Sequence, residues 1–432
     1  MGEIGSSVWW AKRPALLSGV LLVDLFLVFL GSHGAGTPMG DITLAYQTWA
    51  NQLSQAVPWF GLGQDWVYPF PDLLFIWGPT LLPFDYQTDW LVVAVVMNLL
   101  ATLALVGLRG PITRPMALGV WLWCGWTLLL GPVAVSRLDN ISLALAIAAI
   151  GFWHRGRAGA AAAFTGLAIW VKIWPLALLL GWLTQRSRWR QVAVGACASL
   201  LGTFALGYLI AGPNHLLSFL ATQSNRGLQI EAPAASLWLW NNQPGSSNLI
   251  YLHNELITYQ IRGASADLVA NWLGPVMYVA LAITAFLGWR AMRSATVSAD
   301  ARATDARATD ARAAVAWTAL TATLDLIVFN KVGSPQYYGW LFAAGLLFVV
   351  WQLPSWTVVA CWLAGLALLT QCIYPLLYDG IIQAVPSATM VLIARNLVVV
   401  ALLIFANLRL TQLSSSSRSS GPTLSRSIKK PS

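Results

Sequence analysis

The sequence predicts an all-α polytopic membrane protein, and three observations lead there. Hydrophobic residues make up 57% of the 432 positions and charged residues only 9%, for a mean hydropathy of +0.65, far from the composition of a soluble domain. The apolar residues gather into runs close to the ~20 needed to cross a bilayer. The bases gather between those runs. The runs add up to about twelve transmembrane or partly spanning helices, with two long outer loops.

The first run, ALLSGVLLVDLFLVFLG at 15–31, has no small-residue cleavage site behind it and reads as a retained signal-anchor helix. Further spans are expected at 89–108, 115–134, 137–153, 191–211, 269–291, 314–331, 337–352, 355–376 and 387–409, after a first one at 14–33. Residues 158–185 break the pattern, because the basic loops HRGRAG and RSRWRQ flank them on both sides. Both loops belong on the cytoplasmic side, so the stretch must enter and return as two short helices of about 13 residues, about 20 Å each. Trp174-Pro175 supplies the break, since proline removes a donor and restricts the residue before it. Lys172 then lies near the tip.

Lys and Arg outnumber Asp and Glu by 25 to 16, a formal charge of +9. They cluster at 12–13, 109–114, 155–157, 186–190, 290–312 and beyond 409, the positive-inside pattern of cytoplasmic loops, so a nucleic-acid partner is a poor explanation. Both termini are placed in the cytoplasm. The ARATDARATDAR repeat falls in a cytoplasmic low-complexity linker at 293–313, and the Ser-rich tail at 411–432 reads as disordered. Residues 1–410 form the membrane domain. Cys124, Cys197, Cys361 and Cys372 sit in apolar runs and read as small hydrophobes. His33, His154, His215 and His253 have no ligand spacing, so neither a metal nor a cofactor is expected.

The outer loops are at about 34–88 and 212–268. In the first, Ile42, Ala45, Trp49 and Leu53 recur at helical spacing, which predicts an amphipathic helix from Asp41 to Leu53 lying in the interface. The second holds Trp238, Trp240, Asn241, Asn242 and Gln243 together. Interfacial tryptophans are commonly a membrane belt; beside so many amides, Trp240 and Asn241 also suit a sugar face and its hydroxyls.

Ionisable residues at membrane depth are functional candidates by default. Asp41, Arg137, Asp139, Lys172 and Lys331 all approach the outer side in this topology. Asp24 and Asp325 read as polar contacts between helices, while Arg395 is a further intramembrane charge. A carboxylate that takes a proton from a hydroxyl, set among cations that hold a departing phosphate, suits glycosyl transfer from a phosphate. Other readings stand beside this one: Asp41 as a helix cap, and Arg137 with Asp139 as a plain ion pair.

GDITLAYQTW after the first span, YPFP in the same loop, SRLDNISLALA, GLAIWVKIWPLALLL and NKVGSPQYYGWLF together resemble the GT-C membrane glycosyltransferases, and within them glycosyltransferase family 87, the polyprenyl-phosphate-mannose-dependent enzymes of actinobacteria. The resemblance runs from about Leu16 to Arg409. It implies a GT-C fold, an acidic base at Asp41, with Asp65 and Asp72 in reserve, and phosphate contacts at Lys172, Arg137 and Lys331. Asp139, Gln336, Tyr337, Trp240, Asn241 and Tyr68 would meet sugar or acceptor. Implied partners are a polyprenyl-phosphate-linked sugar, a glycolipid or cell-envelope glycan acceptor and the bilayer. An arabinofuranosyltransferase using decaprenyl-phosphate-arabinose fits the same scaffold. A flippase or transporter of a lipid-linked sugar is the rival of another class; it would favour paired broken helices in both halves, and only one broken segment is visible.

Overall fold

The computed structural model describes residues 8–34, 36–55, 58–224, 226–240, 249–253, 258–297 and 304–415. It is helical almost throughout, and seven of its helices are long and apolar enough to cross a membrane. In chain order the first half runs α1 (Arg13–His33), α2 (Gln47–Leu53), α3 (Leu73–Trp77), α4 (Tyr86–Val106), α5 (Arg114–Leu130), α6 (Leu138–His154), α7 (Ala158–Val171), α8 (Leu176–Leu183) and α9 (Trp189–Ala211). The second half holds α10 (Ser218–Ser224), α11 (Ser236–Leu239), strands β1 (Ile250–His253) and β2 (Thr258–Ile261), then α12 (Ala264–Val297), α13 (Thr304–Val328), α14 (Tyr337–Val350), α15 (Trp356–Gln371), α16 (Tyr378–Ile382) and α17 (Pro386–Ser415).

Local sequence explains where these helices begin and end. Prolines stand in the first turns of α1 and α5, where a missing N–H costs nothing. Gly107, Gly131 and Gly212 follow α4, α5 and α9 with φ near +80°, a conformation that closes a helix and that only glycine adopts freely. Asp85 caps α4 by accepting from the Thr88 N–H at 3.1 Å. At the opposite end of the bundle Arg13 donates to the carbonyls of Gly107 and Gly110 at 2.7 Å.

Packing separates helices that look alike in sequence. In α14 every residue from Tyr338 to Val350 is buried, and it sits against α5, α6, α13 and α15. α9 and α12 expose most of their apolar surface. Small residues let backbones meet where helices are closest: a side chain at Gly195 of α9 would collide with the backbone of Gly159 in α7.

The hairpin at 158–185 forms as expected, with unequal arms. α7 has 14 residues and α8 only 8, about 21 Å and about 12 Å of helix. Lys172 ends α7 in an extended conformation, and Pro175 caps α8.

The structure adds detail to three expectations. The Asp41–Leu53 segment is helical, but its first turn, Asp41–Tyr46, is wound as a π-helix; the wider turn rotates the buried face onto Ile42, Tyr46, Ala50 and Leu53 instead of Ile42, Ala45, Trp49 and Leu53. The linker at 293–313 is helical wherever it is described, because α12 runs to Val297 and α13 starts at Thr304. Likewise α17 continues to Ser415, into the expected tail, whose remainder lies outside the described residues. The loop after α9 also carries more structure than its composition suggests, with two short helices and an antiparallel hairpin pairing Ile250 with Ile261.

Both long loops lie at the bundle end where α1, α5, α7, α9 and α13 finish. Among the described residues that end holds Arg137, Lys172, Arg226, Arg262, Lys331 and Arg395. The remaining described Lys and Arg lie at the opposite end. All four cysteines are unpaired. Asp24 accepts from Asn98 at 3.0 Å and Asp325 from Thr284 at 2.6 Å, each a polar contact between neighbouring helices.

Candidate active site

Asp41 stands at the start of the π-wound turn. Two backbone anchors fix the approach to it: Ser136 donates to the Pro38 carbonyl at 2.9 Å, and Tyr374 donates to that of Thr37 at 3.2 Å. The Leu138 N–H, at the first turn of α6, donates to the Tyr46 hydroxyl at 3.3 Å. These contacts bring Asp41 to Arg137, with Arg137 Nε 3.1 Å from Asp41 Oδ2. Arg137 is 5% exposed and Asp41 42%, so the pair runs from the interior to the mouth. The Arg137 Nε–H does not point along that line and makes no hydrogen bond; catalytic contacts often tighten only when substrate arrives.

Asp139, two residues on, faces a second cation. Its Oδ2 is 3.8 Å from Lys172 Nζ, and its Oδ1 accepts from Trp340 Nε1 at 2.7 Å. The alternative reading of Arg137 with Asp139 as a plain ion pair does not hold, because each residue has a partner from elsewhere in the chain. Lys172 Nζ lies 3.9 Å from the centroid of the Tyr68 ring, a cation–π contact. Trp340 stacks on Tyr337 at 3.9 Å and on Trp174 at 6.0 Å between centroids. Gln336 joins Asp139 and Trp340 in a narrow crevice. Tyr68 is also within electrostatic range of Arg137, so the two charge pairs form one seam.

Asp72 joins this seam within electrostatic range of Lys172 and Asp139. The turn Phe70–Asp72 packs on α7 through Phe70 and Trp170, ring centroids 5.9 Å apart. Asp72 is completely buried, and neither of its oxygens has a hydrogen-bond partner. Burial pushes its carboxyl well above the usual range; Lys172 pulls it back in part, and Asp139 adds to the rise. Asp65, the other reserve carboxylate, lies apart at 72% exposure and pairs with His215 at 2.8 Å.

Lys331 sits at the far side of the seam, half-buried, where desolvation and then its neighbour Arg226 push its ammonium down. Such a cation gains when an anion arrives. Its backbone carbonyl accepts from Gln229 at 2.9 Å, and Gly333 fits only because it has no Cβ, since one would strike the backbone of Glu231 and Ala232. Trp240 is 64% exposed beyond this contact. Asn241, with Asn242 and Gln243, lies outside the described residues.

Asp41, Arg137, Asp139, Lys172, Tyr68, Gln336 and Tyr337 are thus brought together, with Lys331 adjoining. Sequence reasoning missed Arg226, Glu231 and Trp340, the last of them 5% exposed. Arg395 had offered a signal for Glu231: a buried cation demands an acid, and its Nη1 is 3.5 Å from Glu231 Oε2. Asp139 and Trp340 are 201 positions apart. Nothing local in the sequence announces their contact.

Charged groups at one end of an apolar bundle, lined with aromatic rings and reached from the loops, mark the candidate site of an integral membrane protein. A family model described as Glycosyltransferase family 87 matches residues 66–306, more than half of the chain. The chain belongs to that family, within the GT-C superfamily, and is a membrane glycosyltransferase. No curated protein matches it. The matched stretch contains Tyr68, Asp72, Arg137, Asp139, Lys172 and Arg226, while Asp41, Lys331 and Tyr337 fall outside it.

Proposed function

We propose that this glycosyltransferase moves mannose from polyprenyl-phosphate-mannose to a hydroxyl of a glycolipid or cell-envelope glycan, with inversion, on the outer face of the membrane. The observation that carries the reading is the seam in which Asp41 meets Arg137 at 3.1 Å and Asp139 meets Lys172 at 3.8 Å. It joins a half-exposed carboxylate to buried cations.

In this mechanism Asp41 takes the proton from the acceptor hydroxyl. The oxygen attacks the anomeric carbon, the bond from that carbon to the phosphate oxygen breaks, and its electron pair leaves with the phosphate. Arg137, Lys172 and Lys331 oppose the charge that develops there. Tyr68, Gln336, Tyr337, Asp139, Trp240 and Asn241 are assigned to the sugar or acceptor. The concentration of other basic residues at the far end of the bundle supports cytoplasmic termini and an outward-facing site.

The test is transfer of labelled mannose from polyprenyl-phosphate-mannose by purified protein, with decaprenyl-phosphate-arabinose in parallel. Wild type is expected to transfer mannose, and Asp41→Asn to lose at least about 100-fold in rate, the usual worth of a positioned base. Full activity in Asp41→Asn removes Asp41 as the base. Transfer of arabinose alone reassigns the donor, and translocation without transfer overturns the proposed reaction.

A further inference from the structure

Asp72 has no part in the transfer chemistry just described, yet the fold keeps it in the same seam. It is 0% exposed and both oxygens lack hydrogen-bond partners. A buried carboxyl left unmatched is costly. Nearby groups share its condition: Asp139 Oδ2, Trp174 Nε1 and Trp66 Nε1 are buried without hydrogen-bond partners. Trp174 stacks on Trp340, the donor to Asp139, and Trp66 packs edge-on to Tyr68 at 5.5 Å. Unmatched polar atoms are rare in a native interior and call for an explanation when they gather in one place.

The kinds of atom involved narrow the ligand. Two carboxyls stand against one ammonium here, a poor setting for a phosphate. They suit a polyol, whose hydroxyls both donate and accept, and a carboxyl can receive two neighbouring hydroxyls at once. The rings of Tyr68 and Tyr337 offer flat faces for a sugar. The cations lie beyond Tyr337: Arg226 is within its electrostatic range, and Lys331 is within that of Arg226.

We infer that Asp72 is a sugar-recognition residue, its carboxyl taking hydroxyls of the donor sugar beside Asp139, while the phosphate lies toward Lys331 and Arg226. Lys172 stands between the two and serves both. Half-buried Tyr68, over the Lys172 ammonium, forms the rim through which the sugar reaches Asp72. This assignment rests on the reading of the donor as a polyprenyl-phosphate sugar.

Two ligands separate the roles: plain polyprenyl phosphate, and whichever glycosyl donor, mannosyl or arabinosyl, the wild type transfers. Asp72→Leu is expected to bind polyprenyl phosphate like the wild type and to bind the glycosyl donor about 10- to 100-fold more weakly, as expected for lost hydrogen bonds to a carboxyl. Asp72→Asn, which keeps one acceptor and gains a donor, should fall between. Undiminished binding of plain polyprenyl phosphate also shows that the variants are folded. Equal weakening toward both ligands, or none toward the glycosyl donor, refutes the role of Asp72 while leaving the donor reading intact. A wild type that binds neither ligand refutes the donor reading and this inference with it.

Discussion

Arg395→Met tests how the second long loop is held against the bundle. Arg395 is fully buried on α17. Its Nη2 donates to the Glu231 carbonyl and to Asn396 Oδ1, both at 2.8 Å, its Nη1 is 3.5 Å from Glu231 Oε2, and its guanidinium lies 4.6 Å from the Tyr338 ring centroid. Asn396 in turn donates to Ser236 at 2.8 Å. Glu231 is almost as deeply buried, and burial pushes its carboxyl up to about 7 even though Arg395 pulls it down. With the guanidinium gone, the carboxyl must rise further. At pH 6 Glu231 is largely neutral in both proteins, so the substitution removes hydrogen bonds and packing, about 2 kcal/mol. The folded value is raised above the unfolded one, so this group's stabilising contribution is complete below pH ~4.5 and is lost as pH rises through the folded value. In the wild type that loss starts above about pH 4.5 and is complete once pH has passed about 7; in the variant it continues to higher pH. At 1.36 kcal/mol per unit, the variant falls behind by about 2 kcal/mol more at pH 8.5. The total approaches the 3–5 kcal/mol typical of a broken buried pair. With about 2.1 cal/mol/K of unfolding entropy per residue, the Tm deficit should grow from about 2 °C to about 4 °C. Tryptophan fluorescence during thermal unfolding in detergent reads it directly. Glu231→Leu combined with Arg395→Met should recover most of the loss and abolish its pH dependence. A deficit that stays flat between pH 6 and 8.5, or a double variant no better than the single, refutes the reasoning.

Two further substitutions probe the seam and its scaffold. Arg137→Lys keeps the charge but loses the planar fork that reaches both Asp41 and the Tyr374 hydroxyl, the latter at 3.4 Å; kcat/KM should drop about 10- to 100-fold, with unchanged Tm, and wild-type kinetics would show that charge alone suffices. Asp85→Ala removes the α4 cap, whose carboxylate accepts from the Thr88 N–H at 3.1 Å and its hydroxyl at 2.6 Å. Because Asp85 is almost fully exposed, the cost should sit at the low end of the capping range, about 0.5 kcal/mol. Those hydrogen bonds hold the carboxyl below its usual value. Its contribution is therefore present above pH ~3.8 and lost as pH falls through the folded value, so wild type and variant should converge in stability in acid; a gap that persists there would count against the cap.

How much of this could be read from the chain depends on whether the physics involved is local. The hairpin was legible because Pro175 breaks a helix wherever it stands and because basic residues flank both arms. Lys172 was legible for the same reason, as a charge at the tip of an apolar turn. The side on which Asp41 buries its helix was not, since a single π-wound turn shifts the face while the sequence period stays near 3.6 residues. Nor could the apolar runs of α12 and α14 be ranked: lipid and protein are equally apolar solvents for Leu and Val, so no pattern marks α14 as central and α12 as peripheral. The partners of buried charges lie furthest from view. Arg395 shows that an acid is needed without saying that Glu231, 164 positions earlier, provides it. The same holds for Asp72, a carboxyl in a loop of ordinary composition whose only unusual property is its surroundings. In a bilayer protein, then, composition and breaks locate a site's charged residues, while the pairing among them becomes visible only when the loops are folded back over the bundle.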